Sequence, residues 1–212
     1  MKKILFVFLM LQYFSSAFAQ DIQTSTVVRE RASLKTELEL MGENDQKHRT
    51  KIFKAADDKA RAKLWEEQLP IDKVNQDRID EIVKAHGWPG QKEFGAKASQ
   101  AAFLVIQHAP VEMMKRYQPM LRVAMEKDDL RKESYAMFED RVLMYEGRGQ
   151  TYGSQLHTDN QTGKRAFWKI EDEVNVDKRR AQMGMGPLVE YAKFFGIEYM
   201  PLKVVPDSTE KK

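Results

Sequence analysis

Asp140-Arg141-Val142-Leu143-Met144-Tyr145-Glu146-Gly147-Arg148-Gly149-Gln150-Thr151-Tyr152-Gly153-Ser154-Gln155 changes character in its middle. The first half continues a helical pattern from Lys132, with Tyr135, Phe138, Val142 and Tyr145 on one stripe and Met137, Leu143 and Met144 on the other side. Asp140 projects between Leu143 and Met144, and Arg141 between Met137 and Tyr145. Charges squeezed in this way are usually paired, because an unpaired buried charge costs several kcal/mol. After Gly147 the helical period stops. Thr151–His157 and Arg165–Ile170 flank the turn-rich run Thr158–Gly163, which reads as a short β-hairpin or extended loop near 150–170.

The segments before this one are helical. Leu34, Leu38 and Met41 open a stripe from Ser33, and its continuation through Gly42 reaches Asp45 and then Ile52, so an acid sits where the period reserves a hydrophobe. Gly42-Glu43-Asn44 could equally end one helix and start another. Lys54–Gln68 reads as a solvated helix, and Pro70 as the opening of the next, with Ile71, Val74, Ile79, Ile82 and Val83 apolar and Asn75 near the centre of that face. Lys97–Ala109 is hydrophobic in every direction and should be a central buried helix, stopped by Pro110. Further helices are expected over Met114–Met125, Lys132–Glu146, Val176–Met183 and from Pro187 to Gly196. The fold class is therefore mostly α: a single-domain irregular helical bundle over residues 33–200, with residues 20–32 a flexible leader and 201–212 a loose tail.

The ends and the composition bound the function. Lys2-Lys3, the apolar run Ile4–Phe14 and Ala17-Phe18-Ala19 form a signal peptide over residues 1–19, with cleavage expected after Ala19. Its removal takes Lys2 and Lys3 with it, lowering the formal charge from +3 to +1, and leaves an exported protein, periplasmic or secreted, without a stable membrane anchor. The 212 residues suit one well-buried domain, and charged residues at 32% with hydrophobic ones at 42% suit a globular chain. The absence of cysteine excludes disulfides, thiolate metal sites and a cysteine nucleophile. The basic runs are interleaved with acids, which argues against nucleic acid. His48, His86, His108 and His157 are scattered, with no His-Glu-x-x-His, so neither a metal nor another cofactor is expected.

Several short motifs stand in this order: Asp45-Gln46 with Arg49; Gly87-Trp88-Pro89; Gln107-His108-Ala109; Asp140-Arg141-Val142; Gln150-Thr151-Tyr152-Gly153-Ser154-Gln155; and Arg179-Arg180 before Gly184. In these the chain resembles a family of bacterial proteins, exported or intracellular, known as a domain of unknown function. Ser154 stands where that pattern has threonine. The resemblance implies a single, mostly helical domain and no particular activity.

Two readings of function follow. In the first, an exported metal-independent hydrolase or lyase acts on a small polar or envelope-derived substrate. His108 is the acid or base, Asp140 or Asp45 orients it, and Arg49, Asn75, Gln107, Arg141, Gln150, Tyr152 and Gln155 contact substrate. In the second, the protein is a non-catalytic binding or interaction module whose polar cluster only fixes helix register. The first requires a pocket reaching His108 and Tyr152. The second requires a network sealed from solvent.

Overall fold

Residues 24, 26–52, 54–158 and 163–202 are described by the computed structural model. The expected signal peptide, its cleavage site and residues 203–212 of the tail lie outside them. The chain is mostly helical. In order it forms α1 (26–46), α2 (Arg49–Ile52), α3 (Asp58–His86), α4 (Gln91–Phe94), α5 (Ala96–Gln107), α6 (Val111–Glu126) and α7 (Lys132–Tyr145). A two-stranded antiparallel hairpin, β1 (Leu156–Thr158) and β2 (Arg165–Phe167), follows in the register Leu156↔Phe167, His157↔Ala166, Thr158↔Arg165. A 3₁₀ turn at Glu173–Asn175 leads into α8 (Val176–Gln182) and α9 (Leu188–Phe194).

Two compact units make up the fold, one of residues up to Asp77 with Gln91–Val105, the other of Arg78–Gly90 with the chain from Ile106 onward. In the first, Leu34, Leu38 and Met41 of α1 are buried with Ala98, Ala101, Ala102, Phe103 and Val105 of α5, the expected central helix. Helix α1 begins earlier than the Ser33 periodicity indicates, so residues 26–32 of the expected leader are helical, and residues 26–33 are exposed. It also runs straight through Gly42. A Cβ at that position would lie 2.6 Å from the Ala101 Cβ, so the glycine is the close-approach point of α1 and α5 rather than a break. Gly42→Ala is expected to force the two helices apart and cost about 1–3 kcal/mol, read as a lower thermal midpoint.

Pro70 does not open a helix but lies inside α3, which continues from Asp58 to His86. The turn around it is tied from both sides: Gln68 Nε2 donates to Asp72 Oδ1 at 2.7 Å, spanning the proline. Side-chain bonding of this kind offsets part of the lost backbone bond. Pro119 is likewise inside α6, which starts at Val111 rather than Met114.

In the second unit α6 packs on α7. Met114, Tyr117 and Leu121 are buried, as are Ile79, Ile82, Tyr135, Phe138 and Val142, while Tyr145 at the end of the expected stripe is exposed. Asp80 of α3 collects Lys84, the Tyr117 hydroxyl and Arg116 Nη2, the last at 2.7 Å. The Lys84 ammonium and then the Tyr117 hydroxyl hold this carboxyl below its ordinary 3.8. Burial first, and then Asp80, pushes the Tyr117 hydroxyl up to about 12. Because the folded-state value of Asp80 is depressed, its stabilisation is present above pH 3.8 and disappears as pH falls through the folded value. Asp80→Asn should therefore lower stability by about 1 kcal/mol at neutral pH. Urea titrations should show variant and wild type converging in acid.

The hairpin is shorter than its sequence suggests. Thr151–Gly153 bend instead of pairing, and the backbone donors of Thr151, Tyr152 and Ser154 are taken by the Asp140 side chain of α7.

Candidate functional site

The polar residues singled out by periodicity fall into two groups, one in each unit. In the first unit α1 delivers Asp45, α2 delivers Arg49, and one face of α3 delivers Gln68, Asp72 and Asn75. Arg49 Nη2 donates to Asp72 Oδ2 at 2.7 Å and to Asp45 Oδ1 at 3.4 Å. Its guanidinium carbon lies 5.4 Å from the centre of the Trp65 ring. Gln68 Nε2 donates to Asp72, and its Oε1 accepts the His48 backbone N–H at 3.2 Å. Asn75 Nδ2 donates to the Met41 carbonyl at 3.1 Å, closing the gap between α1 and α3. All of these polar residues are buried, Gln68 completely. Sequence reading misses Gln68. The available signal is the spacing 68, 72, 75, which puts three polar residues on one helical face.

In the second unit the group centres on Asp140, which is 0% exposed. Its carboxylate accepts the backbone N–H of Thr151 at 2.7 Å, of Tyr152 at 3.0 Å and of Ser154 at 2.9 Å. Burial pushes this carboxyl above its ordinary value, and the Ser154, Tyr152 and Thr151 donors pull it back. Gln155 donates its N–H to Gln150 Oε1 at 2.7 Å. The carbonyls of the same loop are met as fully. Arg179 Nε donates to Thr151 O at 2.8 Å, Arg180 Nη1 to Tyr152 O at 2.8 Å, the Tyr191 hydroxyl to Ser154 O at 3.0 Å, and Gln150 Nε2 to Gln155 O at 3.0 Å. Gly153 supplies the turn at φ +70°, and a Cβ there would lie 2.9 Å from Leu188 and 3.1 Å from Ile170.

Arg141 bridges outward from this loop, with Nε on Gln155 Oε1 at 3.3 Å and Nη1 on the Gln107 carbonyl at 3.4 Å. Gln107 thus enters through its backbone. The Tyr152 hydroxyl donates to Glu139 Oε2 at 3.2 Å and is pushed up, by burial first and then by Glu139. Arg179, Arg180 and Tyr191 are not candidates on sequence grounds, although the first two belong to the motifs that carry the family resemblance. A basic run interleaved with acids reads as solvated, yet Arg180 is 2% exposed.

Beside the loop lies an open groove of about 1160 Å³ between α6 and α7. Pro119, Val123, Val142 and Leu143 supply its apolar part, and Gly149 and Thr151 bring the outer side of the loop to its wall. Two ion-pair clusters flank it. Arg122 Nη2 meets Glu139 at 2.9 Å, and Glu146 meets both Lys115 at 2.9 Å and Arg148 at 3.3 Å. His108 is half-buried in the turn after α5 and, like Tyr152, does not line this groove. Among the described residues no set of three His, Asp or Glu side chains is placed to hold a metal ion, and no helix is long and apolar enough to cross a membrane.

No curated protein and no solved structure matches the chain. The model of a family described as "Family of unknown function (DUF6624)" matches residues 32–205. That span is most of the chain, and the protein belongs to this family.

Proposed function

We propose that the protein is an exported, non-catalytic binding module of the periplasm or medium, in which the Asp140 network is structural and the ligand is taken by the α6–α7 groove. The observation that carries this reading is the accounting of the loop's backbone groups. The carboxylate of Asp140, the amide of Gln150 and the guanidinium groups of Arg179 and Arg180 are all engaged with main-chain atoms of residues 151–155. Groups engaged in this way are not aimed at a substrate. They hold a wall rigid, which is how a pre-organised binding surface limits its entropy cost. Export rests on the Lys2-Lys3, apolar and Ala-x-Ala pattern of the first nineteen residues.

Equilibrium dialysis of the processed chain (Gln20–Lys212) against envelope-derived small molecules, followed by mass spectrometry, tests the reading. Compounds should be retained chemically unchanged, and retention should disappear in Val123→Glu, which puts a charge on the groove's apolar part. Turnover of a compound into a product, lost in His108→Gln, would establish the hydrolase or lyase instead.

A further inference from the structure

Lys169 and Glu171 both line the groove, and neither side chain forms an ion pair among the described residues. They flank Ile170, which pairs with Gln150 in an isolated parallel β-bridge through Gln150 N–H to Lys169 O and Glu171 N–H to Gln150 O, each at 2.9 Å. In extended chain successive side chains alternate between faces. Ile170 packs inward beside Gly153, so Lys169 and Glu171 share the other face. Among the described residues, the groove therefore carries one unpaired cation and one unpaired anion at a strand spacing, beside the apolar surface of Val123 and Leu143. The other charges of the rim are paired, Arg122 with Glu139 and both Lys115 and Arg148 with Glu146, which leaves those pairs one positive charge in excess.

We infer that the groove binds an extended peptide segment that carries an acidic and a basic residue two positions apart, with apolar residues between and beside them. The inference rests on the binding-module reading. An opposite-charge pair at alternate positions meets Lys169 and Glu171 as cross-strand neighbours do in a sheet, and like charges opposite either one are repelled. The intervening apolar side chains cover Val123 and Leu143. An open cleft of this size suits a chain passing through better than a small molecule, whose sites bury most of the ligand. The rigid wall provided by the Asp140-anchored loop keeps Gly149 and Thr151 in fixed positions along its path.

The test titrates the isotope-labelled processed chain with three acetylated, C-terminally amidated peptides: Val-Glu-Val-Lys-Val, Val-Glu-Val-Glu-Val and Val-Gln-Val-Gln-Val. Amide chemical shifts report the binding position. The mixed-charge peptide should shift groove amides and bind about tenfold tighter than either of the others, a factor typical of one charge attraction across an interface combined with one repulsion avoided. In Glu171→Lys the order of the first two peptides should reverse. Glu171 is exposed and its side chain anchors nothing, so the variant should fold as the wild type does. The inference is overturned if no groove amide moves at millimolar peptide, if the neutral peptide binds as tightly, or if Glu171→Lys leaves the order unchanged. Should that happen while dialysis still retains compounds that Val123→Glu loses, the peptide is wrong and the binding module stands.

Discussion

Asp140→Ala is expected to lower the unfolding free energy by about 4 kcal/mol, most of the stability of a domain at the lower end of the usual range of about 5–15 kcal/mol. The magnitude follows from what is left behind. Three backbone N–H groups, of Thr151, Tyr152 and Ser154, lose their acceptor at a position from which water is excluded. Each buried unsatisfied donor costs about 1–3 kcal/mol, reduced here by whatever relaxation lets water reach the loop. Asp140→Asn keeps one acceptor oxygen but turns an amide NH₂ toward the remaining donors, and should cost about 2–3 kcal/mol. Urea denaturation gives the free energies, and amide hydrogen exchange gives the location. Protection should fall over residues 150–155 while α5 and the interior of α7 keep theirs. A variant with an unchanged midpoint and an unchanged loop would mean that Asp140 is not the anchor. It would reopen a role for this carboxylate in chemistry.

The helices and the oddly placed polar residues are legible in the sequence because both are read from period. Asp45, Asn75 and Asp140 stand out there by falling among apolar positions, and all three are buried. What the period does not supply is the partner. Asp140 bonds to backbone donors 11 to 14 residues later, and a main-chain N–H has no sequence signature of its own. Arg180 is hidden for the same reason, since its partners are the Tyr152 and Gly186 carbonyls rather than acids. Pro70 misleads in the opposite direction, while Pro119 does not, since the helix over Met114–Met125 is expected straight through it. A proline is a strong local signal, but α3 and α6 have enough buried or tethered surface on either side to carry the helix through it. The groove is not legible at all. Lys115, Arg122 and Glu146 look like ordinary solvated helix positions until α6 and α7 are packed side by side.

In the first unit the largest effect is expected from Arg49→Met, at about 3–5 kcal/mol. The guanidinium lies between the Asp45 and Asp72 carboxylates, with side-chain exposures of 7%, 2% and 8% for the three residues. Methionine fills similar space and can still lie against Trp65, so loss of packing is the smaller part of the cost. The larger part is the loss of the guanidinium that both buried carboxylates face. Asp72→Asn removes one of those charges but keeps a single acceptor oxygen, enough for Arg49 or for Gln68 Nε2 and not for both, so its cost should be about 2 kcal/mol. The double variant distinguishes a charge effect from a packing effect. If the loss comes from uncompensated charge, neutralising Asp72 in the Arg49→Met background recovers stability, and the double variant lies more than about 1.5 kcal/mol above the sum of the single losses. If the two losses simply add, Arg49 holds α1, α2 and α3 together by its contacts, and the arrangement around Asp45 and Asp72 is not an ion cluster in energetic terms. Urea midpoints of the four proteins decide between them.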